Sequence, residues 1–327
     1  MLAIGKYILP AYILLAPMSG CTDLAFRLIA REHDAAFAFF EMVDSHSVFY
    51  HRKKTLSLLK THDKDRPIAL QLLGSKPDIM LKAAEDILSR LKISFLDINA
   101  ACPAKKVIRK KAGSYLLQDR ENLRAIINRL SSALDIPVTV KIRIGYKNET
   151  CQDMVDIARM IEDAGASALF VHGRTRLQQY SGDIDYDTIK AVKNSVDIPV
   201  FGSGNILSPQ HAGKMLAATG CDGILVARGG LGNPWIFRAI AEYISNGKEV
   251  ASPTLEDKKN VLKKHLSYLE TYCDASEKVR VGLMRKVAIW YLKSFPLAKR
   301  IREKISVVKS YEKMLEFIDS INEGSLP

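Results

Sequence analysis

The chain has 327 residues, of which 47% are hydrophobic, with a mean hydropathy of −0.02, so it can bury a large core and is expected to form one large domain and a small one. No apolar run approaches the roughly 20 residues of a membrane span, the N-terminus lacks a secretory signal pattern, and five scattered cysteines suggest neither disulfides nor a metal site, so we expect a cytoplasmic protein without a metal. Lys and Arg outnumber Asp and Glu by 48 to 36, and the net charge of +12 favours a polyanionic partner.

Short apolar runs alternate with stretches of helical periodicity over residues 1–245. The predicted strands are Ile13–Ala16, Phe37–Val43, Ile68–Leu72, Phe95–Ile98, Val138–Ile142, Ala168–Val171, Pro199–Phe201 and Gly223–Val226. The predicted helices are Pro77–Leu91, Glu121–Leu134, Gln152–Ala164, Tyr186–Asn194, Pro209–Ala218 and Trp235–Ile244. Such alternation is typical of parallel α/β folds, and eight repeats favour a (β/α)8 TIM barrel over an open sheet.

The pattern changes after the barrel region. Asn246-Gly-Lys and Ala251-Ser-Pro-Thr254 form a predicted linker, and the rest of the chain is rich in Leu, Lys and Glu without a strand-like run. Thr254 followed by Asp257 resembles a helix N-cap with acidic residues in the first turn. We therefore predict a barrel domain over 1–245 and a small all-helical C-terminal domain over 254–327.

The most distinctive motif, Asp97-Ile-Asn-Ala-Ala-Cys-Pro-Ala-Lys-Lys-Val107, follows the fourth predicted strand. Because Pro103 prevents a regular strand or helix from continuing, Cys102 is displayed at a strand end. Its thiol suits a nucleophile, a metal ligand or a proton donor, and Lys105 and Lys106 would stabilise a thiolate. A buried structural cysteine is the alternative.

The functional site of such a barrel lies at the carboxyl ends of its strands. The predicted strands are followed by polar or glycine-bearing segments, which are Pro17–Asp23, Gln71, Asn99 with Cys102, Lys141 with Arg143, His172–Arg176, Gly202–Asn205 and Ala227–Gly230. The last two glycine turns suit close approach to a phosphate, or need glycine only for a tight turn. Because neither a dinucleotide-binding nor a P-loop motif is present, these features favour a mononucleotide flavin, with Arg228 at its phosphate, Gln71 at the ring's amide edge and Lys141 near N1 and O2.

Two clusters of basic residues support a nucleic acid as the polyanion. Residues 278–309 contain ten Lys or Arg against one acid, Glu303, and a second cluster extends from Lys105 to Lys111. Each cluster by itself is also compatible with a solvated helix face. Together, and next to a candidate reactive thiol, they favour RNA or DNA.

Four motifs resemble those of one enzyme family. They are Ala16-Pro-Met-Ser-Gly-Cys-Thr-Asp23, the Cys102 motif with Ala112-Gly-Ser-Tyr-Leu-Leu117, Val171-His-Gly-Arg-Thr-Arg176, and Met284-Arg-Lys through Trp290-Tyr291. Over nearly the whole chain they are similar to the tRNA-dihydrouridine synthases, closest to the bacterial B-type branch. The resemblance implies an FMN-loaded barrel, a helical RNA-binding domain, and reduction of the C5–C6 double bond of uridine in tRNA, with NADPH or NADH as reductant.

The resemblance also assigns residues. It implies flavin contacts for Pro17, Met18, Ser19, Gln71, Lys141, His172, Ser203, Gly204, Asn205, Ala227 and Arg228. It implies that Cys102 protonates C5 after hydride reaches C6, a role that a protonated thiol can fill. It further suggests RNA contacts for Asn99, Lys105, Lys106, Arg174, Arg176, Arg285 and Lys286.

The chain departs from the family pattern at Ala101, Asn205, Ala227 and Val287, where Gly, Asp, Gly and His are usual. The same chemistry on ribosomal RNA, reduction of a free pyrimidine or enone, and an RNA-binding barrel without turnover therefore remain alternatives. We expect a monomer, and the uridine position cannot be derived from the sequence. A base inside folded RNA would have to leave its stack to reach the barrel mouth.

Overall fold

The computed structural model describes residues 2–293, 295 and 298–322. Its strands are β1 (Ala3–Ile4), β2 (Tyr7–Ile8), β3 (Ile13–Leu15), β4 (Ala38–Phe39), β5 (Val43–Asp44), β6 (Ile68–Leu73), β7 (Leu96–Ala100), β8 (Val138–Arg143), β9 (Leu169–His172), β10 (Val200–Ser203) and β11 (Gly223–Val226). From β3 the parallel pairing runs through β11, β10, β9, β8, β7, β6 and β4 and returns to β3. The sheet is thus a closed eight-stranded barrel.

The predicted barrel is confirmed, with strand ends within two residues of those expected. The second predicted strand is divided into β4 and β5, and both parts pair with β6. Glu41 lies in the break between them. The sequence interpretation missed the antiparallel hairpin of β1 and β2, whose two-residue strands are too short to show a pattern.

The described helices outnumber those predicted. They are α1 (Leu24–Glu32), α2 (Ser45–Phe49), α3 (Lys53–Leu56), α4 (Pro77–Leu88), α5 (Lys105–Ile108), α6 (Arg120–Ala133), α7 (Cys151–Asp163), α8 (Tyr186–Lys193), α9 (Pro209–Thr219), α10 (Ile236–Asn246), α11 (Leu255–Tyr272), α12 (Glu277–Leu292), α13 (Ala298–Val307) and α14 (Tyr311–Asp319). The sequence interpretation did not assign α1, although Asp23 caps its N-terminus by accepting from the Phe26 N–H at 2.9 Å. None of the described helices combines the length and apolar character needed to cross a bilayer.

Aromatic rings fill the interior of the barrel. The side chains of Phe37, Phe39, Phe95, Phe170 and Phe201 are fully buried and contact one another in stacked, edge-to-face or tilted pairs. The β1–β2 hairpin packs beneath them, at the N-terminal ends of β8 and β9. One end of the barrel is therefore closed, and the open end is the one at which the strands terminate.

The four C-terminal helices have a core of their own. It contains apolar side chains of α11, α12, α13 and α14, among them Leu266, Met284, Ile305 and Ile318. Thr254 and Asp257 form a reciprocal capping box at the start of α11, as the sequence predicted. The division into domains at 245 and 254 stays a prediction, and its last residues, 323–327, lie outside the described part of the chain.

The helical unit is docked on α1 of the barrel. The rings of Phe26 and Trp290 meet edge-to-face with their centroids 6.0 Å apart. Glu32 accepts a hydrogen bond from the Tyr268 hydroxyl at 2.6 Å and forms an ion pair with the Lys264 ammonium at 2.8 Å. Ala25 of α1 lies within the helical core itself. The two units therefore share apolar surface and charged contacts, which favours a fixed mutual orientation.

One buried histidine at this junction makes stability sensitive to acid. His265 is fully buried beside the Tyr291 hydroxyl, and burial together with the Lys286 charge lowers its pKa to about 3. Below the ordinary histidine pKa of about 6.5 the His265 imidazole binds a proton in the unfolded chain but stays neutral in the folded chain. Stability is therefore complete above that pH and falls as pH drops towards 3.

We expect the free energy of unfolding of the native chain to fall by about 2 kcal/mol more than that of His265→Gln between pH 7.5 and pH 5. Denaturant titrations at both pH values measure this difference. His211→Gln, at an exposed position, is the control and should keep the native pH dependence. Equal pH dependence in all three proteins would contradict the role assigned to His265.

Candidate active site

A cavity of about 400 Å³ opens at the carboxyl ends of the barrel strands. All residues predicted to contact the flavin line it, namely Pro17, Met18, Ser19, Gln71, Lys141, His172, Ser203, Gly204, Asn205, Ala227 and Arg228. Cys102 and Asn99 line it as well. Its volume lies in the range of small-molecule and cofactor sites. The fold thus brings side chains from seven strand ends into one space.

A chain of buried hydrogen bonds leads to the Cys102 loop. The Thr139 hydroxyl and the Gln71 amide nitrogen donate to the Asp97 carboxylate at 2.8 and 2.6 Å, and the Asn99 amide nitrogen donates to Gln71 Oε1 at 2.8 Å. Asn99 Oδ1 then accepts from the backbone N–H of Cys102 at 2.9 Å. Because each amide has a donor and an acceptor partner, its orientation is set by its neighbours.

The backbone of Cys102 is held from the other side too. Its carbonyl accepts from the Ser114 N–H at 3.1 Å and from the Ser114 hydroxyl at 3.0 Å. Gly113 has φ of +64°, and a Cβ there would lie 2.8 Å from the Cys102 oxygen, so glycine is needed at this turn. The preceding carbonyl, of Ala101, accepts from Arg143 Nε at 2.7 Å. Cys102 itself is half-buried, at the cavity wall.

The walls carry positive charge. Burial lowers the pKa of Arg143 to about 10, which still leaves it charged at neutral pH. Burial and the charges of Lys141, Arg143, Arg174 and Arg228 lower the pKa of His172 to about 2, so its imidazole is neutral. Burial also lowers the pKa of the Lys141 ammonium. A cavity with this electrostatic character is suited to an anionic ligand.

The turns after β10 and β11 meet at Asn205. Its side-chain oxygen accepts from Arg174 at 3.2 Å and from Arg228 at 3.3 Å, and its own φ is +50°. Gly204, with φ of +128°, precedes it, and a Cβ at Gly229 would overlap the carbonyl oxygen of Ile206. Glycine at 229 therefore allows the two turns to pack together. The Arg228 guanidinium and the two turns line the cavity and form a place that fits a phosphate.

The remaining predicted site residues lie outside the cavity lining. Lys105 and Lys106 are exposed on α5, Arg174 is buried with its guanidinium donating to backbone carbonyls of the loop after β9, and Arg176 lies over the Tyr146 ring at 5.0 Å. Arg285 donates to the Val308 carbonyl at 2.8 Å, and Lys286 donates to the Gly20 carbonyl. Their contacts with RNA stay predictions.

Two further residues at the cavity were not assigned from the sequence. Tyr180 is 56% exposed at the rim, with the guanidinium groups of Arg143 and Arg228 at 5.7 and 5.2 Å from its ring. The Met42 sulfur lies 3.5 Å from the Asn99 amide nitrogen. An aromatic residue in the long loop after β9 was the available signal for Tyr180, whereas Met42 had none because it lies where the second strand breaks.

The departures from the family pattern have identifiable places. Ala101 and Ala227 line the cavity, and Asn205 bridges the two arginines described above. Val287 is 1% exposed and belongs to the core of the C-terminal helices. A polar side chain at 287 would need a buried partner there, so the apolar residue agrees with its surroundings.

Comparison with known proteins identifies relatives over almost the whole chain. A family model described as dihydrouridine synthase matches residues 14–323. A tRNA-dihydrouridine synthase B of Pseudomonas aeruginosa is 38% identical over 303 residues, which cover 93% of this chain and 90% of that one. One from Pasteurella multocida is 36% identical, covering 95% and 93%, and a probable tRNA-dihydrouridine synthase of Rickettsia prowazekii is 34% identical, covering 99% and 100%.

Solved structures with low sequence identity share the fold. Histamine dehydrogenase from Rhizobium sp. 4-9 superposes with a TM-score of 0.58 at 12% identity, covering 81% of this chain and 50% of that one. Morphinone reductase in complex with tetrahydroNAD gives 0.52 at 13% identity, covering 78% and 92%. The old yellow enzyme from Trypanosoma cruzi gives 0.55 at 11% identity, covering 79% and 94%. All three therefore support the barrel fold.

Proposed function

The chain belongs to the dihydrouridine synthase family, which confirms the resemblance drawn from its motifs, and we propose that it reduces specific uridines of tRNA to 5,6-dihydrouridine with bound FMN and NADPH. One observation carries this proposal. Cys102, the expected proton donor, and the whole set of expected flavin contacts line a single cavity at the catalytic end of the barrel. Such an enzyme would act in the cytoplasm, as a monomer.

The cavity has the donors and charges that FMN requires. Arg228 and the turns around Gly204 and Asn205 suit its phosphate, and the Gln71 amide retains an unused N–H for the edge of the ring. The Lys141 ammonium at the cavity wall would offset negative charge near N1 and O2. His172, being neutral, can accept or donate a hydrogen bond without adding charge.

When bound and reduced, FMN supplies the hydride for C6 of the uracil ring. The remaining chemistry belongs to this chain: Cys102 Sγ gives its proton to C5 from the opposite face, so one hydride and one proton saturate the double bond. Asn99 positions that thiol through the Cys102 N–H, and one N–H of its amide, directed at the Met42 sulfur, is near enough to the cavity for a uracil oxygen. NADPH, or NADH as the alternative, would supply the hydride that reduces the flavin again.

The function is tested in a strain that lacks its own dihydrouridine synthases. Expression of the chain should restore dihydrouridine at defined tRNA positions, and nucleotide-resolved mapping will identify them. Purified protein should show the absorbance of oxidised flavin and turn over with NADPH. Dihydrouridine in ribosomal RNA alone would replace the tRNA proposal. Flavin-bearing protein active only on free pyrimidines would overturn it, as would protein that cannot be loaded with FMN.

We propose that α13 supplies phosphate contacts to the tRNA. Lys299, Arg300 and Arg302 are exposed on this helix. We expect their joint replacement by Glu to weaken tRNA binding and to lower the slope of log K against log salt by roughly 2, because each lost phosphate contact removes about 0.7 to 0.9. Binding isotherms at several salt concentrations measure the slope.

The matched control replaces three exposed arginines of the barrel wall by Glu, namely Arg124, Arg129 and Arg159. It changes the net charge equally but alters α6 and α7 instead of the helical unit. Its salt slope should stay near the native value. If the slope of log K against log salt falls by the same amount in both triple variants, tRNA binding depends only on net charge and α13 has no particular role.

A further inference from the structure

The loop after β3 is held from two sides at Gly20. The Gly20 N–H donates to the Glu41 carboxylate, and the Gly20 carbonyl accepts from the Lys286 ammonium of α12, 266 positions further along the chain. Met18, Ser19 and Cys21, which flank Gly20, line the cavity. The two peptide units that meet at Gly20, within the loop that lines the cavity, are therefore held by the barrel on one side and by the helical unit on the other.

An aromatic ring and two carboxyl groups also lie close to the Lys286 ammonium. The ammonium lies 5.1 Å from the centroid of the Trp290 ring. Its positive charge favours the ionised forms of the Asp23 and Glu41 carboxyl groups. Burial raises the pKa of each of these carboxyl groups, and Lys286 counters that rise. The ammonium is thus, together with Arg27, a positive partner of two buried carboxyl groups next to the loop.

The same helix contacts a second wall of the cavity. Lys293 donates to the carbonyl of Leu231 at 3.3 Å, and Leu231 lines the cavity. Gly232 has φ of +70°, and a Cβ there would overlap the carbonyl oxygen of Trp290. The loops after the first and the last barrel strand, β3 and β11, therefore both rest on α12.

We propose that Lys286 is a positioning residue of the cofactor cavity, through which α12 holds the loop of Met18, Ser19 and Cys21 in the shape that binds FMN. This proposal rests on the proposed function, because FMN is the ligand whose affinity would change. It is an alternative to the RNA contact predicted for Lys286 from the sequence, and the test below distinguishes the two. The hydrogen bond from the Lys286 ammonium to the Gly20 carbonyl is charge-assisted, and the Glu41 carboxylate accepts from the N–H of the preceding peptide unit, so both bonds constrain the loop more strongly than neutral ones would.

The test compares Lys286→Met with Arg285→Met. Methionine keeps the length of the side chain beside Trp290 but has no ammonium, whereas Arg285 donates to Val308 inside the helical unit. For Lys286→Met we expect the Kd for FMN, measured by flavin fluorescence without tRNA, to rise roughly tenfold. Its tRNA affinity and salt slope at saturating FMN should stay native. Arg285→Met should bind FMN normally, and Lys286→Arg should restore most of the affinity.

Hydrogen exchange in the FMN-free proteins gives a readout that does not depend on the cofactor. Amides of residues 18–22 should exchange faster in Lys286→Met and at the native rate in Arg285→Met. Unchanged exchange, or faster exchange with an unchanged Kd for FMN, would overturn the proposal, as would a loss of tRNA affinity with normal FMN binding. If the native chain binds no FMN, the proposed function fails, while the exchange rates still decide whether Lys286 holds the loop.

Discussion

Cys102→Ala is expected to lower dihydrouridine formation by about a hundredfold or more, because general acid catalysis contributes roughly that factor. Binding of FMN and tRNA should change little. The backbone of residue 102 is held by Asn99 Oδ1 and by Ser114, and neither contact involves the thiol. The substitution therefore removes the proton source without moving the loop that carries it.

The measurement is single-turnover reduction of tRNA by the pre-reduced variant, followed by mass spectrometry of the nucleosides. Cys21→Ala is the matched control, since its thiol lines the same cavity and is also half-buried. Burial raises the pKa of the Cys21 thiol, which keeps this thiol protonated at neutral pH. If Cys21→Ala loses activity and Cys102→Ala keeps it, the two roles must be exchanged.

Asp65→Ala is expected to destabilise the protein by about 3 to 5 kcal/mol, the cost of leaving a buried charge without its partner. Asp65 and Arg27 are both fully buried and joined by three contacts of 2.8 to 3.1 Å. Arg27 also donates to the carbonyls of Thr22 at 2.6 Å and Lys60 at 2.7 Å. Without the carboxylate its guanidinium stays buried against two carbonyls and the Phe40 ring.

Asp63→Ala, two residues away and exposed, provides the comparison and should change stability by less than about 0.5 kcal/mol. Denaturant unfolding at neutral pH, followed by tryptophan fluorescence, measures both variants. Because Arg27 lies on α1, directly after the cavity loop, loss of Asp65 should also weaken FMN binding. Equal stability of the two variants would show that the ion pair contributes no more than a surface charge.

Most of the barrel could be predicted from local pattern. Strands such as β3 and β11 are continuous apolar runs because both of their faces are buried, and the helices of the barrel show one apolar face. Local pattern failed at β4, where the strand breaks around Glu41, and at α1, which adjoins a glycine-bearing loop. In both places contacts with distant residues replace regular pairing.

The residues of the candidate site also fall into those whose position the sequence pattern predicts and those whose position it does not. Residues at strand ends, including Gln71, Lys141 and His172, converge because parallel strands of a barrel terminate at one rim. Residues on helices and long loops do not follow that rule. The RNA contacts of Arg174 and Lys286 stay predictions. Within the chain, loop carbonyls and Asn205 accept from the guanidinium of Arg174, and the Gly20 carbonyl accepts from the ammonium of Lys286.

The sequence by itself determined that the chain forms a barrel, that the cavity lies at the carboxyl ends of the strands, and that Cys102 follows a strand end. Each of these depends on periodicity and on residues close together in the chain. Only the tertiary structure decided what Asn99 and Lys286 do. Asn99 directs its oxygen at the Cys102 loop, and Lys286 reaches a carbonyl 266 positions away. The partner of a polar side chain depends on the direction in which the side chain points and on the distances between atoms in the folded chain. Spacing along the sequence gives neither of them.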